Sequence, residues 1–198
     1  MPRRFRGKMK FRTLYADPPW KEVGGGKIKR GADAHYELMP TKDIMAMSGR
    51  INEFMHDDSH LYLWVTNNFL VDGLKVMDAW GYKYITTITW LKDRIGLGQY
   101  YRGITEHCLF GRKGNALPYK TKDGKRQQGK TIIQEPKTIH SRKPLKMYEY
   151  IEKVSYPGYI ELFARKERPN WTSLGIEVDG SNFYEYDLNY DGEDFLSF

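Results

Sequence analysis

The sequence predicts an α/β domain built on a largely parallel sheet. Short apolar runs of strand length, such as 11–16 ("FRTLYA") and 60–66 ("HLYLWVT"), alternate with stretches whose apolar residues recur at helical spacing. That alternation is what strand–helix–strand crossovers require. The 198 residues, 40% hydrophobic and 29% charged, are enough for one domain with its own core.

The first strand, 11–16, must stop at "DPPW" (17–20), because two successive prolines cannot donate to a sheet ladder. Residues 21–39 show no sustained period, only three glycines and "KIKRG", and read as a mobile loop. Thr41 is expected to cap a helix whose apolar face carries Ile44, Met45, Met47, Ile51 and Phe54. After the strand at 60–66, Phe69, Leu70, Leu74, Met77 and Trp80 mark a helix over 68–80 that Gly81 closes. Residues 82–92 ("YKYITTITWLK") and 105–113 ("TEHCLFGRK") read as strands. Residues 112–140 are basic and the longest stretch without a pattern, which predicts a functional or unstructured loop. A helix with Pro144 in its first turn covers 143–154, and "YPGYIELFAR" (156–165) is a turn followed by a strand. The expected organisation is one domain over 1–180 with a basic N-terminal segment, then an acidic tail at 181–198.

Charge is unevenly spread. The net charge is +7, yet residues 177–198 hold seven acids and neither Lys nor Arg. Arg3, Arg4, Arg6, Lys8, Lys10 and Arg12 form one basic cluster, and Arg112, Lys113, Lys120, Lys122, Lys125, Arg126 and Lys130 another. Either cluster reads as a solvated face or as a partner for a phosphate backbone; the neighbouring Tyr100, Tyr101 and Tyr119 favour a nucleic-acid partner. The single cysteine, Cys108, lies in the apolar string "HCLF" and is expected to be buried in a reducing compartment. No His/Cys/Asp cluster has metal-ligand spacing, so no metal is expected. The apolar runs are too short to span a bilayer, and the N-terminus lacks the features of a secretory signal.

In an open parallel sheet, ligands bind beyond the carboxyl ends of the strands. Asp17 ends one strand and Arg165 another, so two polar groups far apart in sequence are expected on one rim. "DPPW" there suits an amine. Asp17 offers carboxylate oxygens and Pro18 a carbonyl whose φ is fixed, so both can accept from the two N–H bonds of an exocyclic NH2. Holding both N–H bonds aims the nitrogen lone pair at an electrophile, which makes Asp17 an orienter rather than a base that acts before attack. Trp20 offers a flat face for an extruded base. A structural reading stands beside this one: Asp-Pro-Pro as a turn and Trp20 as a lid on the core.

"ADPPW" resembles the motif of the N6-adenine methyltransferases related to the catalytic subunit of the eukaryotic messenger-RNA adenosine methyltransferase, with its bacterial and phage relatives. "LYLWVTNNFL", "AWGYKYITTITWLK", "TEHCLFGRKGN", "HSRKP", "IELFARKERPNW" and the "LG…DG" of 174–180 also resemble family signatures, in family order over roughly 12–180. The resemblance implies an S-adenosylmethionine-dependent enzyme with a Rossmann-like methyltransferase fold, its sheet mainly parallel with one antiparallel strand, and a circularly permuted motif order, catalytic motif before cofactor motif. It implies catalytic roles for Asp17, Pro18, Pro19, Trp20 and Lys143. Asp17 and Lys143 would also face the cofactor, whose side Glu161, Phe163, Arg165, Asn170 and Trp171 would line. By the residues alone, Phe163 and Trp171 read as core and Arg165 as a surface ion pair.

Where relatives often carry Asn-Gln after "PNWTSLG", this chain has Ile176-Glu177. An isoleucine cannot hydrogen-bond ribose, so Glu177 is expected to substitute. No G-x-G-x-x-G loop is present, which agrees with a cofactor that carries no phosphate. Trp20, Lys27, Lys29, Arg30, Tyr36, Arg112, Lys113 and Arg126 are the expected nucleic-acid contacts, with the 21–33 loop closing over the target base. The expected activity is methylation of adenine N6 in DNA, in the cytoplasm of a bacterium or phage-infected cell. The alternatives are the same reaction on RNA and a non-catalytic nucleic-acid-binding subunit.

Overall fold

A strand covered on both faces needs apolar residues at nearly every position. The strand β1 (Phe11–Ala16) has them: Leu14 and Ala16 enter one core layer and Tyr15 the other. The computed structural model describes residues 10–21, 38–96, 100–136 and 142–179. The start of the chain, most of the loop after "DPPW" and the acidic tail lie outside the described residues, and with them Lys27, Lys29, Arg30 and Tyr36.

β1 sits inside a seven-stranded sheet of order β5-β3-β4-β2-β1-β6-β7. The other strands are β2 (Met55–Val65), β3 (Lys83–Leu91), β4 (Thr105–Lys113), β5 (Ile132–Gln134), β6 (Tyr159–Leu162) and β7 (Trp171–Leu174). β2 and β6 flank β1 in parallel, β7 continues in parallel from β6, and β5 in parallel from β3. β4 alone runs against its neighbours β2 and β3. The sheet is therefore mainly parallel with one antiparallel strand, a Rossmann-like α/β arrangement.

Helices cover both faces. On one side α1 (Thr41–Ala46), α2 (Ser48–Phe54) and α3 (Leu70–Ala79) place Ile44, Met47, Ile51, Phe54, Val76 and Met77 against Leu14, Leu61 and Leu63. On the other, α4 (Lys146–Val154) sets Met147 and Ile151 on a layer rich in aromatics: Tyr15, Tyr62, Trp64, Trp90 and Trp171. Cys108 is buried in β4 within this second layer. Among the described residues no helix is long and apolar enough to cross a membrane.

Several elements differ from the sequence reading. The single helix expected from Thr41 is broken at Met47, next to Ser48-Gly49, a pairing that bends helices. Thr41 makes no cap, because Pro40 occupies the N-cap position. The 112–140 stretch is not patternless: it contains β5 and a β-bridge between Lys120 and Arg126. β7 and the one-turn α5 (Ile176–Asp179) were also not expected, each being four residues long. Gly81 does close α3, with a φ of 80° that an L side chain rarely adopts.

The helical layer is locked by Trp80, wholly buried, whose indole N–H donates to the Ile44 carbonyl at 2.9 Å. Trp80→Phe removes that bond and leaves the carbonyl only the longer Met47 N–H contact at 3.3 Å, and should lower stability by about 1 kcal/mol in a urea melt.

Candidate active site

Because β1, β2, β6 and β7 are parallel, their carboxyl ends form one rim. β4 is reversed, so its first residues, not its last, reach that rim. The prolines after Asp17 stop β1 there and hold the turn beyond it. The Pro18 carbonyl accepts from the Trp20 N–H at 2.9 Å, and the Pro19 carbonyl from the Met39 N–H at 2.7 Å. Pro18 therefore keeps one lone pair for an incoming donor.

Four side chains of alternating charge line up on this rim. Lys143 Nζ lies 2.8 Å from both Asp17 carboxylate oxygens and 3.3 Å from Glu106 Oε2. Lys92 holds the other Glu106 oxygen, Oε1. Lys143 also lies 5.5 Å above the Trp64 ring and Lys92 5.1 Å above Trp90. Side-chain exposure is 20% for Asp17 and 15% for Lys143, so the pair is sheltered but reachable from solvent.

Burial raises the Asp17 carboxyl above its ordinary value, and Lys143 offsets this only in part. Burial works against the charged forms of Lys143 and Glu106 too, but there the opposite charges win. Asp17 and Glu106 together hold the Lys143 ammonium above its ordinary value, and Lys143 with Lys92 holds Glu106 below its own. Lys143 is thus a fixed cation bridging two acids.

The ends of β6 and β7, beside Asp17, gather Glu161, Phe163, Arg165, Asn170 and Glu177. Phe163 and Asn170 both adopt left-handed backbone, φ 63° and 66°, which turns the chain sharply out of β6 and into β7. Arg165 Nε is 3.8 Å from Glu177 Oε1. Gly175 permits this: a Cβ there would lie 2.1 Å from the Ala164 carbonyl oxygen. Glu161 is buried, and the Tyr148 hydroxyl donates to it from 2.9 Å of both oxygens. Arg168 stacks on the Tyr148 ring at 3.5 Å. Burial pushes the Glu161 carboxyl up to about 7, against Tyr148 and Arg168. Across the ladder from Glu161 lies Ser173, whose buried Oγ has no hydrogen-bond partner among the described residues.

The expected role of Trp171 is corrected. Trp171 does not line an open surface. It is buried, stacked on Tyr159 at 4.8 Å, with its indole N–H donating to Glu152 Oε1 at 2.8 Å. Trp20 stacks one face on Phe69 at 5.3 Å and gives its indole N–H to the Trp64 carbonyl at 2.9 Å, so only its other face is left for a base. Arg112 and Lys113 end the reversed β4 and lie at the opposite rim, where Lys113 Nζ bonds Asn52 Oδ1 at 2.5 Å. Arg126 is there too, on a hairpin tied through Tyr119 to Val154 at the far end of α4.

Glu106, Lys92, Tyr148 and Ser173 were missed as site residues. Glu106 had a signal, an acid opening the otherwise apolar strand "EHCLF"; Tyr148 and Ser173 had none. His107, the next residue, donates from Nε2 to Asn67 Oδ1 (2.7 Å) and meets the Thr89 hydroxyl at Nδ1 (3.1 Å), and so ties the ends of β2, β3 and β4 together. Among the described residues no group of three or more His, Cys, Asp or Glu side chains is placed to hold a metal ion.

The model of the MT-A70 family matches residues 11–177. The chain belongs to the MT-A70 family. It is 34% identical over 198 residues to the N(6)-adenosine-methyltransferase catalytic subunit METTL3 of Homo sapiens, covering 90% of this chain and 30% of that protein. It is 31% identical to the N(6)-adenosine-methyltransferase MT-A70-like protein of Drosophila melanogaster, covering 90% of this chain and 29% of the relative. It is 27% identical to the type II methyltransferase M.MunI of a Mycoplasma species, covering 86% of this chain and 79% of the relative. The chain thus spans about 30% of the length of the adenosine-methyltransferase relatives.

MT-A70 methyltransferases use S-adenosylmethionine, and the residues at the ends of β6 and β7 fit that molecule. The Ser173 hydroxyl is a buried hydrogen-bonding group without a partner among the described residues, and the buried Glu161 carboxylate beside it has Tyr148 as its hydrogen-bond donor. Lys143 suits its carboxylate, and Arg165 with Glu177 can donate to and accept from ribose hydroxyls.

Glu161 has a measurable consequence. An unfolded glutamate titrates near 4.3, whereas folded Glu161 does so at about 7. Between these values the folded state binds more protons, so its contribution to stability falls as pH rises from about 4.5 to 7. Glu161→Gln should remove this slope, leaving the variant relatively more stable at pH 8 by up to roughly 3 kcal/mol, read from urea midpoints against pH.

Proposed function

We propose that this chain transfers a methyl group from S-adenosylmethionine to the N6 amine of adenine in DNA, by direct in-line displacement on a flipped base. The observation that carries the reading is the rim constellation, a "DPPW" carboxylate held by Lys143 with Glu106 as the second acid. The type II methyltransferase, of which the chain spans 79%, supports DNA. The adenosine methyltransferase relatives support the N6 amine as the acceptor.

Each residue has a task. Asp17 accepts from one N6–H and the remaining lone pair of the Pro18 carbonyl from the other, which aims the nitrogen lone pair at the methyl carbon. The cofactor supplies an electrophilic methyl on a sulfonium sulfur, which leaves as a neutral thioether. With S-adenosylmethionine bound, the amine nitrogen would gain the methyl as the C–S bond is lost, and the methylated amine would then shed one proton. Asp17, whose carboxyl is raised above its ordinary value by burial, is positioned to accept it. Glu106 keeps Lys143 charged and in place while Asp17 turns from lysine to substrate. Trp20, pinned by Trp64 and Phe69, holds the "DPPW" turn rigid and offers its remaining face to the base.

A tritiated methyl-transfer assay on matched DNA and RNA oligonucleotides, with mass spectrometry of the digested product, tests the reading. N6-methyladenine in DNA is the expected result; product in RNA alone moves the substrate, and no product in either returns the chain to a binding subunit. Asp17→Asn removes the acceptor charge at nearly constant size and should lower kcat by about a hundredfold or more. Cofactor binding by the same variant, followed by calorimetry, should change far less.

A further inference from the structure

The end of the sheet opposite Asp17 holds a cavity of about 260 Å³, lined among others by Arg12, Asp58, His60, Leu117 and Tyr156. Its walls are ordered by buried contacts. His60 is buried, with Nδ1 2.8 Å from the Ser155 hydroxyl, and burial pushes its pKa down to about 4, so this wall is uncharged near neutrality. The Arg12 guanidinium lies 5.0 Å from the Tyr156 ring centre, and no carboxylate among the described residues pairs with it. Asp58 accepts from the Asn115 N–H through Oδ1 at 2.7 Å, and its second oxygen has no such bond among the described residues.

A basic hairpin rises from this cavity. Tyr119 touches Tyr156 edge-on at 5.2 Å, its N–H donates to the Val154 carbonyl, and its carbonyl accepts from Gln127. Lys120, Lys122, Lys125, Arg126 and Lys130 are exposed on and beyond it, with Asp123 the single acid between them.

We propose that the cavity is a second nucleotide subsite, which takes one unpaired base of a nucleic-acid strand whose phosphates run along the 119–130 hairpin. The proposal rests on the reading that the substrate is a polynucleotide. Tyr156 and Arg12 present the aromatic and cationic surfaces on which a base stacks. The open Asp58 oxygen accepts an N–H from the base edge, and the same carboxylate repels a bare phosphate. The hairpin lysines meet the backbone and release its counterions. A cavity below the usual ~300–1,000 Å³ of drug-sized sites holds one base rather than two. The base bound here is not the one methylated. β1 alone, six residues at roughly 3.3 Å each, separates the two rims by about 20 Å.

The test is photocrosslinking of the full wild-type chain to single-stranded 24-mers, DNA and RNA, carrying 5-iodouracil in place of thymine or uracil, with peptide mapping. Anisotropy titrations of the same strands with Tyr156→Ala, Tyr156→Phe and Arg12→Ala accompany it. The expected results are a crosslink on the peptide containing Tyr156, Kd about tenfold weaker for Tyr156→Ala and Arg12→Ala, and Tyr156→Phe within twofold of wild type. Crosslinks confined to other peptides, or alanine variants within twofold of wild type, overturn the proposal. Displacement of the strand from the cavity by equimolar AMP overturns the strand as the ligand in favour of a free nucleotide. The crosslink is read on the wild type, so it decides the matter even if Tyr156→Ala fails to fold. If the crosslink forms but no methyl group is transferred, the subsite stands and the methyl-transfer reading falls.

Discussion

The row Asp17–Lys143–Glu106–Lys92 is the constraint on which this structure depends. Removing one member from such a sheltered row leaves its neighbour buried and uncompensated, at a cost of several kcal/mol. The four residues come from four places: the end of β1, the segment before α4, the start of β4 and the end of β3. The row can form only if β4 runs against its neighbours, since a parallel β4 would carry Glu106 to the far rim. The topology of the sheet and the chemistry of the rim are therefore one requirement, and the aromatic floor of Trp64 and Trp90 supplies the low-polarity surroundings that make the pairing strong.

The ends of β6 and β7 obey a different logic. Phe163 and Asn170 take left-handed backbone, and Gly175 lets the chain pass against Ala164 with no room for a side chain. These features bring Arg165 and Glu177 together although neither lies in a strand. Ile176 is exposed, so the residue that departs from the family pattern sits in solvent while Glu177 beside it meets the arginine. The departure leaves the polar character of the site intact and changes which residue carries it.

The sequence made some of this legible and hid the rest for physical reasons. "DPPW" announced a strand end because proline cannot continue a ladder, and the apolar strands announced a sheet covered on both faces. Strand direction was hidden, since "TEHCLFGRK" has the same burial pattern whichever way it runs. For that reason the sequence did not show that Arg112 and Lys113 lie at the rim opposite Asp17. Trp171 looked like a ligand contact through its motif, but an indole between Tyr159, Tyr15 and Tyr148 is packing. β5 and β7 have three and four residues, too few for a periodicity to show. Tyr148 pairs with Glu161 across 13 residues, a relation that only the fold creates.

The reversed strand also separates two electrostatic jobs. At the Asp17 rim the two acids and two lysines of the row balance, so the place proposed for a neutral base exerts no strong net pull on phosphate. Under the proposed function the attraction for a polyanion comes from elsewhere, and among the described residues the basic hairpin and the end of β4 offer positive charge at the opposite rim. A rim crowded with unpaired lysines would hold phosphates where the proposed reaction needs a base, and would draw the Asp17 carboxylate away from an amine. By carrying Glu106 at one end and Arg112 with Lys113 at the other, β4 keeps long-range attraction apart from short-range aim.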